Sequence, residues 1–248
     1  MQIAHPLVGR AIAEHSDFQK RPIRRLLRTL DSTYDVIFGS NEESAGGARR
    51  INQAHRPVEG VLEEGVGIYL AGTTYSARDP DLAQWIWGTL VDSAIPVFEQ
   101  FVEPLSGDFK EEYYQEAKAI LGRTGGKPKD APATYTDFAA YMEDMHQGGK
   151  LVVGKDAREL APHILLQTSP LTRRAARPVA RVAVGLLREP LRGQYTELLE
   201  QNYGFSISEE RNERYIDRVT SFSRAIHPHL PDVVRFSPKY RKARRQMR

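Results

Sequence analysis

Apolar residues recur at three- and four-residue spacing along almost the whole 248-residue chain, punctuated by Gly, Pro and capping residues, and that period admits α-helices and little else. From Pro22 to Phe38, Ile23, Leu26, Leu27, Leu30, Tyr34, Ile37 and Phe38 keep to it, and Gly39 ends the run. Ser44 is expected to cap the next helix, with Ala48, Ile51, His55, Val58 and Leu62 on one apolar stripe before Gly65. Asp79-Pro80 reads as an N-cap followed by Pro at the first helical position, opening a long helix through Trp85, Leu90 and Phe101. Further helices are expected over Asp108–Leu121, Thr136–His146, Ala157–Leu166, Arg174–Leu187, Leu191–Tyr203 and Glu209–Ala225. Val66–Ala77 is rich in Gly, Thr and Tyr, and reads as extended chain or a structured loop. The expectation is an all-α protein: a single helical domain over 1–238, of about nine or ten helices, with a basic tail at 239–248.

Charge locates that tail. Of 35 Lys and Arg, Lys239, Arg241, Lys242, Arg244, Arg245 and Arg248 fall in the last ten residues, leaving 29 cations against 32 acids in the body. With no interleaved aromatic platform, the tail reads as a solvated C-terminus, and no nucleic-acid partner is expected. The first residues lack the charged and apolar regions of a signal peptide, and no run of about eighteen apolar residues occurs. Those features lead to the expectation of a cytoplasmic protein with no stable membrane insertion.

Cysteine is absent, which removes disulfides, zinc knuckles, iron–sulfur clusters, a thiol nucleophile and thiolate-ligated haem. Walker, dinucleotide-binding, His-Glu-x-x-His and Gly-x-Ser-x-Gly motifs are absent too. A helical chain of this kind takes its hard chemistry from a cofactor, either a carboxylate-bridged di-iron centre or haem. Glu143 and His146 form one i, i+3 pair, but a di-iron site needs two such pairs and two further carboxylates, so the pair also reads as exposed helix-end residues. Haem needs one neutral imidazole in an apolar helical setting. His55 shares a face with Ile51, Val58 and Leu62, which is equally the setting of a satisfied core histidine, and Pro57 must disturb the helix beside it. His5, His15, His163, His227 and His229 are weaker candidates.

Arg21, Arg24, Arg25 and Arg28 crowd one helical segment, and Arg25 and Thr29 lie four apart on one face. A guanidinium beside a hydroxyl suits anion binding or hydrogen bonding to developing negative charge. A solvated basic face paired with Asp31 and Asp35 is the alternative.

Several short segments occur in a telling order: His5-Pro-Leu-Val, His15-Ser-Asp-Phe, Arg25-Leu-Leu-Arg-Thr29, Phe38-Gly39, Ile51-x-x-x-His55-x-x-Val58-x-Gly60, Tyr75-Ser-Ala-x-Asp79-Pro80 and Trp85. Tyr113-Tyr114, Leu121-Gly122, Pro132, Ala157-Arg-Glu-Leu-Ala161 and Pro190-Leu-Arg192 continue it. Together they resemble the family of the fungal oxygenase MpaB and bacterial rubber oxygenase (latex-clearing protein) over nearly the whole chain. The resemblance implies a helical fold with a globin-like core enclosing haem b, the proximal iron ligand at His55, and a distal pair at Arg25 and Thr29. Arg28 stands at the cofactor where rubber oxygenase has a lysine. The glutamate that serves that enzyme as a base has no counterpart, since the corresponding stretch holds Gly9, with Glu14 the nearest acid. The implied activity is that of a haem-dependent oxygenase acting with O2 on a small apolar, aromatic or terpenoid metabolite, with an electron donor where the chemistry requires one. Polyisoprene is not the expected substrate. A haem-dependent peroxidase-like or sensor protein, and a non-catalytic helical binding module, are the alternatives.

Overall fold

The computed structural model describes residues 1–16, 22–166, 170–205 and 208–246. Among these, helices dominate. In chain order they are α1 (Pro6–His15), α2 (Pro22–Phe38), α3 (Asn41–His55), α4 (Pro80–Phe101), α5 (Gly107–Leu121), α6 (Tyr135–Gln147), α7 (Lys155–Leu165), α8 (Pro170–Gly185), α9 (Leu191–Tyr203), α10 (Glu209–Ile226), α11 (Asp232–Arg235) and α12 (Pro238–Gln246). The all-α expectation holds. The one described sheet is a short antiparallel pair, β1 (Glu59–Val61) with β2 (Thr74–Ser76), joining Gly60 to Tyr75 in register. It closes the Gly- and Thr-rich stretch that the sequence left between extended chain and loop.

Two expectations around α3 are corrected. Its cap is Ser40, whose hydroxyl accepts from the Glu43 N–H while the Glu43 carboxylate accepts from the Ser40 N–H, a reciprocal capping box. Ser44 lies inside the helix and donates its hydroxyl to the Val36 carbonyl. The apolar stripe does not run on to Leu62 as helix. Pro57 supplies no N–H and crowds the carbonyl of residue 53, so α3 ends at His55, and Leu62 is buried in extended chain with its N–H on the Thr73 carbonyl.

The described contacts sort into two compact units: Met1–Pro22 with Glu59–Ala77 and Thr136–Val219, and Ile23–Val58 with Arg78–Tyr135 and Thr220–Arg248. The first unit buries Leu7 and Val8 of α1, Phe138 and Met142 of α6, Leu160 of α7, Val184 of α8, and Leu198 and Leu199 of α9. Gly9 of α1 lets the residues before that helix fold back against it, since a Cβ there would fall 2.8 Å from the Ile3 carbonyl oxygen.

The second unit is built on α4 and α5. Trp85, Val91 and Ile95 are buried on α4, and the Trp87 indole N–H donates to the Ala117 carbonyl across the pair (2.9 Å). Tyr114, fully buried on α5, donates its hydroxyl to Pro132 O (2.7 Å) and so closes the following loop against the helix. The hairpin α2–α3 belongs to this unit and crosses at Gly47, where an added Cβ would lie 2.8 Å from Ser32 O and 3.0 Å from Val36 Cγ2.

The described part of the basic C-terminus, residues 239–246, is helical and paired rather than a free solvated tail. It forms α12, whose Lys239 pairs with Asp31 and Asp35 of α2 and whose Lys242 pairs with Glu43 of α3. The sequence reading missed this because tail and partners lie some two hundred residues apart. Among the described residues no helix is long and apolar enough to cross a membrane.

Candidate functional site

His55 is the last residue of α3. Its imidazole is half-buried while Asn52, Gln53 and Ala54 just before it are exposed. Burial lowers its proton affinity below the ordinary histidine value, so the ring is neutral at pH 7, the form that can ligate iron. Among the described residues the ring has no hydrogen-bond partner, while the backbone carbonyl of His55 accepts from the Val58 N–H.

On α2, Arg28 and Thr29 are exposed, and so are Leu27 (61%) and Leu30 (36%) on either side. The backbone of Arg25 is helical, but its side chain lies outside the described residues, as does Arg21 altogether. The hairpin is held by the Ser44 hydroxyl on Val36 O (3.0 Å), by Arg50 Nε on Ser32 Oγ (3.4 Å), and by Arg50 on the Asp35 carboxylate. Arg50 and Lys239 together hold Asp35 below the usual carboxylate range, Lys239 most strongly.

The remaining histidines divide. In the first unit, His5 is buried with Nε2 3.0 Å from the Tyr69 hydroxyl, so its imidazole is already engaged. His15 Nε2 lies 3.2 Å from both Glu59 O and the Tyr75 hydroxyl. Because the carbonyl only accepts and Tyr75 donates to Glu14 (2.7 Å), Nε2 is the protonated nitrogen of His15. Tyr75 holds Glu14 below its usual range, while burial and then Glu14 raise Tyr75. Arg10 completes the cluster, reaching Glu63 (2.7 Å), Glu14 (3.3 Å) and Asp156 (3.8 Å). The sequence reading quoted His15, Gly60 and Tyr75 as separate motif residues. Their common reason is contact: a Cβ on Gly60 would fall 2.5 Å from the Tyr75 hydroxyl, so only glycine lets that ring cross β1.

His146 corrects another expectation. Glu143 is exposed and pairs with Arg188, but His146 is 2% exposed, and neither ring nitrogen has a partner. Phe138, Met142 and Met145 are buried on the same helix, and His146 lies one turn past Met142, so helical spacing could have placed it inward. Burial, reinforced by Arg188, depresses its basicity. His163 is half-buried; His227 and His229 lie in a single 3-10 turn. No three His, Asp or Glu side chains among the described residues cluster as metal ligands, so the Glu143–His146 pair gains no partners there for a di-iron site.

The donor set around α2 and α3 fits a group that needs a single neutral imidazole and an apolar face. His55 supplies the first, and Leu27 and Leu30 supply uncovered apolar surface on the turn that carries Thr29. Among known families, residues 1–229 match the one described as ER-bound oxygenase mpaB/B'/Rubber oxygenase, catalytic domain. No curated protein and no solved structure matches the chain.

Proposed function

The chain belongs to the MpaB/rubber-oxygenase catalytic-domain family, and from that premise we propose that it is a b-type haem oxygenase with His55 as proximal ligand and Arg25 and Thr29 on the oxygen-facing side. The observation that carries the reading is His55 itself: a neutral, half-buried imidazole without a described partner, at the end of a helix paired with the one bearing Thr29. The pairing of Val36 with Ser44, and of Ser32 with Gly47 and Arg50, runs antiparallel. That antiparallel pairing supports setting the start of α2, with Arg25 and Thr29, toward the His55 end of α3.

Haem supplies the redox chemistry of such a site when bound. The chain's own residues bind and orient. His55 would hold the iron through its neutral ring. The Thr29 hydroxyl and the Arg25 guanidinium would donate hydrogen bonds to the oxygen substrate, and Arg28 beside them would pair with the cofactor's carboxylates. Leu27 and Leu30 offer apolar surface to a small, largely apolar substrate, with the few polar groups setting its orientation. A globin-like enclosure of the cofactor, within one catalytic domain over 1–238, is part of the same proposal.

The test is turnover with labelled dioxygen on a panel of small terpenoid and aromatic compounds. Label is expected in the product, and Arg25→Ala is expected to keep haem and lose about a hundredfold in turnover. Product oxygen from water or peroxide would replace oxygenation with peroxidase-like chemistry, and a fully active Arg25→Ala would remove the arginine from the site.

A further inference from the structure

Residues 236–246 lie beyond the 1–229 stretch matched to the family, yet they make some of the most elaborate polar contacts of α2 and α3. Lys239 Nζ reaches Asp31 Oδ1 (2.7 Å) and Asp31 O (3.1 Å), and also Asp35, which Arg50 of α3 holds from the other side. Lys242 Nζ meets Glu43 Oε1 (2.8 Å). Glu43 is the residue that closes the α3 capping box, and Lys242, then the Ser40 N–H, pull its carboxyl down to about 2. Between these pairs the Tyr240 ring stands edge-on to Phe38 of α2 at 5.7 Å and lies 5.0 Å from Phe236. Phe38 in turn leans on Tyr34 at 6.0 Å.

Little else holds this part of α2. Residues 27–31 are all exposed, and Ser32 and Val36 are the buried positions among its described side chains. The helix is therefore located by the close crossing at Gly47 and by α12. Asp31 follows Thr29 by two residues, and Arg50 precedes His55 by five, so both anchors lie within about a turn and a half of the proposed site.

We propose that α12 is a clasp that locks the α2–α3 hairpin in register, with Lys239 and Lys242 as positioning residues for Thr29 and His55. The site's chemistry rests on the function proposed above; the mechanical role of the clasp does not. An isolated exposed ion pair holds little. Here one lysine joins two acids of α2, one of which, Asp35, is itself bridged to α3 by Arg50, and an aromatic contact sits between the two lysines. The ionic part is screened by salt and the aromatic part is not.

Hydrogen exchange read by mass spectrometry on the full chain, with haem supplied, tests this directly. The double variant Lys239→Ala/Lys242→Ala is expected to exchange about fivefold or more faster over residues 27–55, with residues 136–165 unchanged. Lys239→Arg/Lys242→Arg is expected to restore the wild-type pattern, and wild type in about 1 M salt to move toward the double variant. At equal haem content the double variant should lose kcat with KM little changed. Unchanged exchange over 27–55, or equal acceleration in both regions, overturns the clasp. Faster local exchange with unchanged kcat overturns the positioning role. If the protein takes up no haem, the proposed function fails while the exchange comparison still decides the clasp.

Discussion

Gly46 and Gly47 are neighbours on α3 and should respond oppositely to the same substitution. A Cβ on Gly47 would sit 2.8 Å from Ser32 O, 3.0 Å from Val36 Cγ2 and 3.1 Å from Asp35 Cβ, two of these being atoms of or next to the α2 backbone that cannot swing aside. A Cβ on Gly46 would meet the far ends of Arg50 and Arg49 at 3.5 and 3.9 Å, ordinary contacts with flexible groups. Ala in place of Gly inside a helix gains ~1 kcal/mol of propensity at either position. Forcing the α2–α3 crossing apart costs ~1–3 kcal/mol at Gly47 alone. The propensity gain is common to both, so the difference between the variants isolates the crossing, and Gly47→Ala should be less stable than Gly46→Ala by about 1–3 kcal/mol. For a chain of this size each kcal/mol moves the melting temperature by roughly 2–4 °C. Thermal melts followed by far-UV circular dichroism read the gap. Gly46→Ala should melt at or above wild type and Gly47→Ala below it. A Gly47→Ala protein that melts with or above Gly46→Ala would refute the close crossing and the register built on it.

Gly60→Ala should destabilise by about 1–3 kcal/mol, because the new Cβ meets Tyr75 at 2.5 Å and Glu14 and His15 hold that ring in place; an unchanged melt would show that the ring can move. His146 is neutral and buried without a partner, its folded pKa below the ordinary 6.5, so its contribution is complete above that value and is lost as pH falls through the lower folded one. Urea midpoints measured at pH 7.5 and at pH 5 should therefore converge in His146→Leu relative to wild type, with no loss at the higher pH; an equal acid sensitivity in both proteins would place the titration elsewhere.

Elements whose ends are written locally were legible in the sequence. α2 runs from Pro22 to Phe38 as its spacing predicts, and Asp79-Pro80 opens α4. Capping was harder. Two serines precede or enter α3, and Ser40 wins because Glu43 stands three residues on to complete the box, whereas Ser44 has Gly47 there, which carries no side chain to return the bond. The sequence shows that Pro57 disturbs the helix but not that it ends it, and the apolar stripe reads on to Leu62 because a strand of three residues leaves almost no periodic signal. Contacts between distant segments were out of reach. No local pattern says that Lys239 will meet Asp31, or that His15 and Glu14 will share hydrogen bonds with Tyr75 across sixty residues or more. The placing of His146 was recoverable, because it continues the face of Phe138 and Met142. Of the candidate site, the sequence singled out Arg25, Thr29 and His55 through family resemblance, and the fold adds their common hairpin and the neutrality of His55.

The visible absorption spectrum of the purified protein supplied with haem, compared with that of His55→Ala, tests the central claim most directly. Wild type should show a Soret band from one bound haem, and His55→Ala should lose it while its far-UV spectrum remains helical. A wild-type protein that stays colourless, or a His55→Ala protein with the same band at the same haem content, would contradict His55 as the iron ligand.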